Sequence, residues 1–357
     1  MKPLRLIYIF AIASVLFGCS KTREKMGKDF QKTARGEADE MVMVIDTAML
    51  NRPVGEELRS LYRSYMVGLP QDEPKFNVHT INPLELNSTL KTAVNMVFVM
   101  SLDNDTRQGK SIRKYFTDNS LKLIQKDSSI FMTVRRDEFA KGQLVLYLYA
   151  QNEEILLEKV KENRNRLLEV FETAVRERTR AQILKKLEKT AMNGVKDGHG
   201  YSLKIPFGWD IAKNLKDFLW IRHLEAQSEY NVFIYERPYS DQDVFNDVGK
   251  LRDEITETYL RDSEKPELFI TRQYQIPVFT ERVSFNGKFA VEARGLWKNS
   301  DNSGGGPFVS YTLVDEKKQK LYYIEGYVYS PGTKKIKLVR EVEAVLSTFR
   351  TPSDLED

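Results

Sequence analysis

The 357-residue chain has a single cysteine, Cys19. That excludes an internal disulfide, a zinc site built on cysteines and an iron–sulfur cluster. Histidine is nearly as scarce, and His79, His199 and His223 lie far apart in the chain, so no histidine-rich metal motif exists. An excess of one charge is missing too. Lys and Arg number 55 against 51 Asp and Glu, a formal charge of +4. Such an even mixture lacks the basic stripe of a nucleic-acid binder. The Gly-x-Ser-x-Gly elbow, His-Glu-x-x-His, the Walker A loop and Gly-x-Gly-x-x-Gly are all absent. Gly304–Gly306 has no lysine and no strand–loop–helix setting, so it reads as a slack strand connection rather than a phosphate cradle. These absences predict a protein that is not an enzyme and that carries no metal and no cofactor.

The material that is present is ordinary for a globular protein, with 41% hydrophobic and 30% charged residues. At about 150 residues per domain, the length suits two domains. The N-terminus carries the most specific signal. Lys2 and Arg5 form a basic start, Leu6 to Phe17 is an apolar run broken only by Ser14, and Leu16-Phe17-Gly18-Cys19 follows. A run of that length fits a signal peptide and is too short to span a bilayer. The string resembles the lipobox of bacterial lipoproteins, although Phe17 stands where a small residue is commoner. The resemblance implies cleavage after residue 18, acylation of Cys19 (palmitate and related chains) and attachment to a membrane. Ser20 follows the cysteine and no acidic run succeeds it. In that family this implies the outer membrane and a face toward the periplasm.

Along the rest of the chain, residues 19–39 read as a polar tether. Residues 40–190 read as a first domain. Its strands are expected at Met41–Ile45, Phe76–Ile81, Val94–Leu102, Ile130–Val134 and Leu144–Tyr149, with a helix from Val54 closed by Gly68. A single helix from Asn152 to about Lys189 is expected to link the halves, with the basic side chains of its second part forming a solvated face. Gly194, Gly198 and Gly200 mark the boundary. Residues 195–350 form a second domain and 351–357 a tail. All three tryptophans and 11 of the 17 tyrosines lie beyond residue 200. Strands there are expected at Tyr201–Ile205, Leu219–His223, Asn231–Glu236, Phe289–Trp297, Phe308–Val314 and Leu321–Tyr329. Helices are expected over Phe245–Leu260 and Lys335–Phe349. Each half ends in strand then helix, so a diverged duplication is conceivable. The expected fold class is α+β, with two mainly antiparallel α/β sandwich domains joined by a long helix.

Two features suggest binding. Leu69-Pro70-Gln71-Asp72-Glu73-Pro74 has paired prolines that would stiffen a preformed loop, with Leu69, Pro70 and Pro74 as its contact residues. Trp209, Trp220, Tyr235 and Trp297 belong to an aromatic set that either fills the second core or lines a groove for a peptide, glycan or lipid. The three histidines read as structural, with no acid spaced to form a dyad.

The opening Tyr201–Trp209 string and the amphipathic helix before Thr348-Phe349 resemble the α/β sandwich of the Mog-type and photosystem P-subunit superfamily, whose members are mostly binding or assembly factors. The lipobox, the Leu69–Pro74 string, Asn231-Val232-Phe233-Ile234-Tyr235, Arg252-Asp253 and Tyr327-Val328-Tyr329-Ser330-Pro331 resemble an uncharacterised lipoprotein family of Bacteroidetes-type bacteria, a domain-of-unknown-function family. That resemblance implies location rather than mechanism. The expected function is a membrane-anchored, periplasm-facing accessory in envelope assembly or maintenance, with a protein partner in the envelope. The alternative is a lipoprotein that holds a hydrophobic or glycan ligand in an aromatic cleft.

Overall fold

The structure is a computed structural model that describes residues 31–240 and 242–356. Cys19, the expected signal at 1–18 and the first part of the expected tether lie outside the described residues. The rest of that stretch is engaged with the first sheet. Thr33 and Arg35 bridge Lys141 and Ala93, and the side chain of Asn95 donates to the carbonyls of Ala38 and Glu40.

The chain forms two compact units. The first holds the described residues through Arg63 together with Phe76–Ala174. Its elements are β1 (Glu40–Val44), α1 (Thr47–Leu50), α2 (Pro53–Tyr62), β2 (Asn77–Ile81), β3 (Asn95–Ser101), α3 (Arg107–Arg113), α4 (Asp118–Lys126), β4 (Met132–Arg136), β5 (Leu144–Ala150), α5 (Glu153–Glu162) and α6 (Arg164–Ile183). The strand order is β2-β1-β3-β5-β4. Three of the pairings are parallel, and only β4 runs antiparallel, beside β5. The α+β class holds, but the expectation of a mainly antiparallel first sheet is corrected. Parallel pairing needs crossovers and buries both faces of its strands, and every residue of β3 and β5 is buried. Their uninterrupted apolar runs belong to central parallel strands.

The expected helix over 152–189 begins as read, since Asn152 accepts from the amide of Ile155. It is interrupted at Asn163, whose side-chain amide donates to the Lys159 carbonyl, and α6 ends at Ile183. The division between units falls inside α6, at Ala174 and Val175, rather than at the glycines near 194–200.

The second unit comprises Ser64–Lys75 and the chain from Val175 onward. After α6 come α7 (Lys189–His199), β6 (Asp210–Asn214), β7 (Phe218–Leu224), β8 (Glu229–Pro238), α8 (Val248–Tyr259), β9 (Ile270–Arg272), β10 (Phe279–Phe285), β11 (Lys288–Asn299), β12 (Gly305–Asp315), β13 (Lys320–Tyr329) and α9 (Ile336–Leu346). The sheet runs β10-β11-β12-β13-β8-β7-β6, with β9 added beside β11, and its pairings are antiparallel. A parallel sheet in one half and an antiparallel sheet in the other do not repeat one another, so the topology gives no sign of a duplication. Strand alternation divides the core. Leu219, Ile221, Val232, Ile234, Tyr322, Ile324 and Val328 pack toward α9. Phe218, Phe233, Leu321, Tyr323 and Tyr327 pack toward α8. Full burial of such side chains contributes about 1.5–3 kcal/mol each.

The segment Ser64–Lys75 forms a small hairpin. Tyr65 bridges Pro74, and Met66 and Lys75 exchange backbone bonds with Glu73 and Ser64. Both oxygens of the Glu73 carboxylate accept from the amides that open α9, Lys335 at 2.7 Å and Ile336 at 2.9 Å. A carboxylate at the positive end of a helix satisfies donors that have no partner within the helix. Gly68, read as a helix stop, is instead the turn of this hairpin, with φ at +79°. The 351–357 stretch is likewise docked in its first part, where Ser353 bonds the buried carboxylate of Asp315.

Candidate functional site

The register of the second sheet decides where the aromatic residues go. Arg222 on β7 pairs with Asn231 on β8, and Asn231 pairs with Tyr327 on β13. These three form a row across the face that carries α8. Trp220 lies two residues before Arg222, on the same face. Tyr329 lies two residues beyond Tyr327, with Trp297 close by on β11. The Trp297 ring sits 5.4 Å from that of Tyr327 and 6.3 Å from that of Tyr329. Gly306, opposite Trp297 in register, makes room for this. A Cβ on it would fall 2.1 Å from the Val328 carbonyl and 3.1 Å from the indole nitrogen. The end of α8 and the approach to β9 supply another wall through Leu260, Arg261, Phe269 and Ile270. The result is a cleft of about 480 Å³, within the usual range for a small-molecule site.

Its polar groups fall into two classes. Some are spent internally: the Trp220 indole donates to Asn231 at 3.0 Å and the Trp297 indole to the Val328 carbonyl at 3.1 Å, while Arg261 pairs with Glu257 and the Pro266 carbonyl. Arg222 is the exception. Its guanidinium lies 5.8 Å from the Trp220 ring, its Nε is buried without a hydrogen-bond partner, and it makes no ion pair among the described residues. A charged group partly withdrawn from water without a partner is costly, and a ligand can supply the missing acceptor.

The residues expected to bind therefore separate. Trp220 and Trp297 share the cleft. Trp209 is on the opposite face, in the core beneath α9, where it stacks on His223 with centroids 6.0 Å apart. Tyr235 faces α8, with its ring 5.7 Å from that of Tyr259. Leu69 packs into the second core, Pro74 bridges Tyr65, and Pro70 is exposed at the hairpin. A larger hollow of about 750 Å³ lies near Tyr239, Phe245 and Phe289. Two of its charged residues are already engaged, since Lys288 pairs with Asp354 and Asp315 with Ser353.

The sequence also missed an acid–histidine pair. On the far side of the sheet His199 Nε2 bonds Asn214 at 2.8 Å, while Nδ1 stands 3.5 Å from Glu236. Glu236 also pairs with Lys320, and the rings of Tyr201 and Tyr322 pack nearby. Glu236 raises the histidine above its usual 6.5, against the opposing pull of burial and of Lys320. A group whose folded-state pKa is raised stabilises the fold fully below its unfolded value, and that contribution fades as pH rises through the folded value. The unfolding midpoint should therefore fall as pH rises above the ordinary histidine range, and His199→Gln should flatten this slope. Thermal unfolding followed by circular dichroism across that range measures both, and an equal slope in the two proteins would refute the assignment.

A model described as domain of unknown function (DUF8532) matches residues 34–184, and one described as domain of unknown function (DUF4837) matches residues 188–348. A search of curated proteins finds no match. Among solved structures the chain is similar to the Saccharomyces cerevisiae Ran-binding protein Mog1p, with 8% identity, 43% of this chain and 90% of that chain covered, and a TM-score of 0.29. A mutant of Mog1 gives 8% identity, coverages of 42% and 90%, and a TM-score of 0.28.

Proposed function

We propose that this protein is a lipid-anchored envelope protein, tied through Cys19 to the outer membrane and facing the periplasm. In this reading it acts without catalysis, as a binding or accessory component of envelope assembly or maintenance. Its ligand site is the cleft between Trp220 and Trp297. The observation that carries the reading is that cleft: four aromatic rings gathered from three strands around an unpaired guanidinium. The buried acids away from it are engaged in holding the fold together, Glu73 at the start of α9, Asp315 at Ser353 and Glu325 at Arg252. Among the described residues no helix is long and apolar enough to cross a membrane, so the attachment proposed here rests on the acyl chains. Two or more acyl chains make such an anchor stable.

Cys19→Ser tests the anchor. The wild-type chain should incorporate radiolabelled palmitate and sediment with membranes, and the variant should remain unprocessed and unlabelled. Equal labelling and equal processing of the two would remove the lipid from the account. Co-purification from native membranes addresses the envelope partner, with a reproducible stoichiometric companion as the expected result.

A further inference from the structure

The cleft reading can be taken one step further, to the chemistry of what fills it, and this step rests on that reading. We propose that the cleft takes an acidic saccharide, with the ligand's carboxylate on Arg222 and a sugar ring against Trp220 or Tyr329. Three observations carry this. First, Arg222 is the cleft's unpaired cation. Its Nε is buried without a partner, and a guanidinium presents a planar pair of donors that matches a carboxylate. Secondly, both indole N–H groups are already committed to Asn231 and Val328. Trp220, which is half-buried, therefore offers flat ring surface rather than a donor, and the C–H face of a sugar ring packs on such a surface, while Trp297 is buried beneath the cleft. Thirdly, Glu229, Asn299, Ser303 and Tyr329 also line the cleft. Glu229 pairs with no cation among the described residues. The exposed Glu229 carboxylate accepts well from sugar hydroxyls. A ligand bearing both one carboxylate and several hydroxyls satisfies both groups, and an aromatic acid or a simple fatty acid satisfies only one.

Uronic-acid trisaccharides and their uncharged methyl esters are titrated into the full-length protein in detergent, with binding read from tryptophan fluorescence. The acid should bind about tenfold more tightly than its ester, the scale of one charge-assisted bond. Arg222→Gln should abolish that preference while leaving ester binding in place, and Glu229→Gln should weaken both. Equal affinity for acid and ester, or a preference that survives Arg222→Gln, overturns the role of Arg222 and leaves the cleft reading intact. If neither saccharide binds while native mass spectrometry finds a different small molecule retained by Trp220 and lost from Trp220→Ala, the saccharide class is wrong and the cleft stands. If neither saccharide binds and native mass spectrometry finds nothing retained, the cleft reading itself fails.

Discussion

Arg252→Ala should lower the free energy of unfolding by about 3–5 kcal/mol. Arg252 and Glu325 have no exposed side-chain surface. The guanidinium holds both carboxylate oxygens, Nε at 2.9 Å and Nη2 at 2.8 Å, and it lies 4.2 Å from the Phe308 ring. The Tyr323 hydroxyl donates to the same carboxylate at 2.6 Å. This cluster ties α8 to β13, and Asp253 extends it to Arg272 and Tyr274. Burial pushes the Glu325 carboxyl above its ordinary value, opposed by Arg252. Without Arg252 that opposition is gone and the carboxyl rises further. The sign follows from linkage: a raised folded-state pKa means stability that is lost as pH rises. The deficit of the variant should therefore grow as pH rises above the ordinary carboxylate range. Replacing the pair together with Met and Leu should recover most of the loss, because two apolar side chains remove the uncompensated charge. Urea unfolding of the three proteins decides the matter. A single variant within about 1 kcal/mol of wild type would show that the pair is not what fastens α8.

Gly326→Val is expected to cost about 3 kcal/mol, at the upper end of overpacking effects. Gly326 lies on β13 directly beneath α9. A Cβ there would approach Val342 Cβ and Cγ2 to 2.7 Å each, with Leu346 Cδ1 at 3.5 Å. Val342 is fully buried in the core on that face, so the helix has to shift rather than a flexible side chain. Valine is otherwise favoured in strands, and a small effect on stability would mean that α9 lies further from the sheet. Val342→Ala in the same chain should restore only part of the loss, because it removes Cγ2 and leaves the Val342 Cβ position 2.7 Å from the added atom. A thermal midpoint that falls for Gly326→Val and recovers in part in the double variant is the expected pattern.

Much of this architecture was legible in the sequence, and the failures share a cause. Asn231–Glu236 and Leu321–Tyr329 were readable as strands because alternation and β-branched or aromatic content agree. The continuous runs at β3 and β5 carried the signature of parallel strands, but run length alone does not give pairing direction. α3 and α4 were not expected. Each has few apolar residues, and the available signals were Thr106 and Thr117, whose side chains cap the two helices. β10, with Glu281 and Arg282 on an edge strand, likewise lacks a clean pattern. The candidate site was half visible. Trp220 and Trp297 stood out by type, but nothing local separates them from Trp209, because the face of a strand is decided by its partners. Arg222 looked like an ordinary polar position in an alternating strand, and only the register across three strands places it between aromatic rings. Glu73 and Lys335 are 262 residues apart, beyond what periodicity can report. The strings that suggested a family have physical roles: Asn231 and Tyr327 are cross-strand neighbours in the cleft, Arg252-Asp253 fastens α8, and Glu73 opens α9.

The most direct test of the central claim is native mass spectrometry of the wild-type protein and of Trp220→Ala, each purified from its own membranes in mild detergent. The account predicts a bound molecule of a few hundred daltons, consistent with a cleft of about 480 Å³, on the wild type and its loss from the variant. Two proteins that each appear only at the mass of their own ligand-free chain would contradict it.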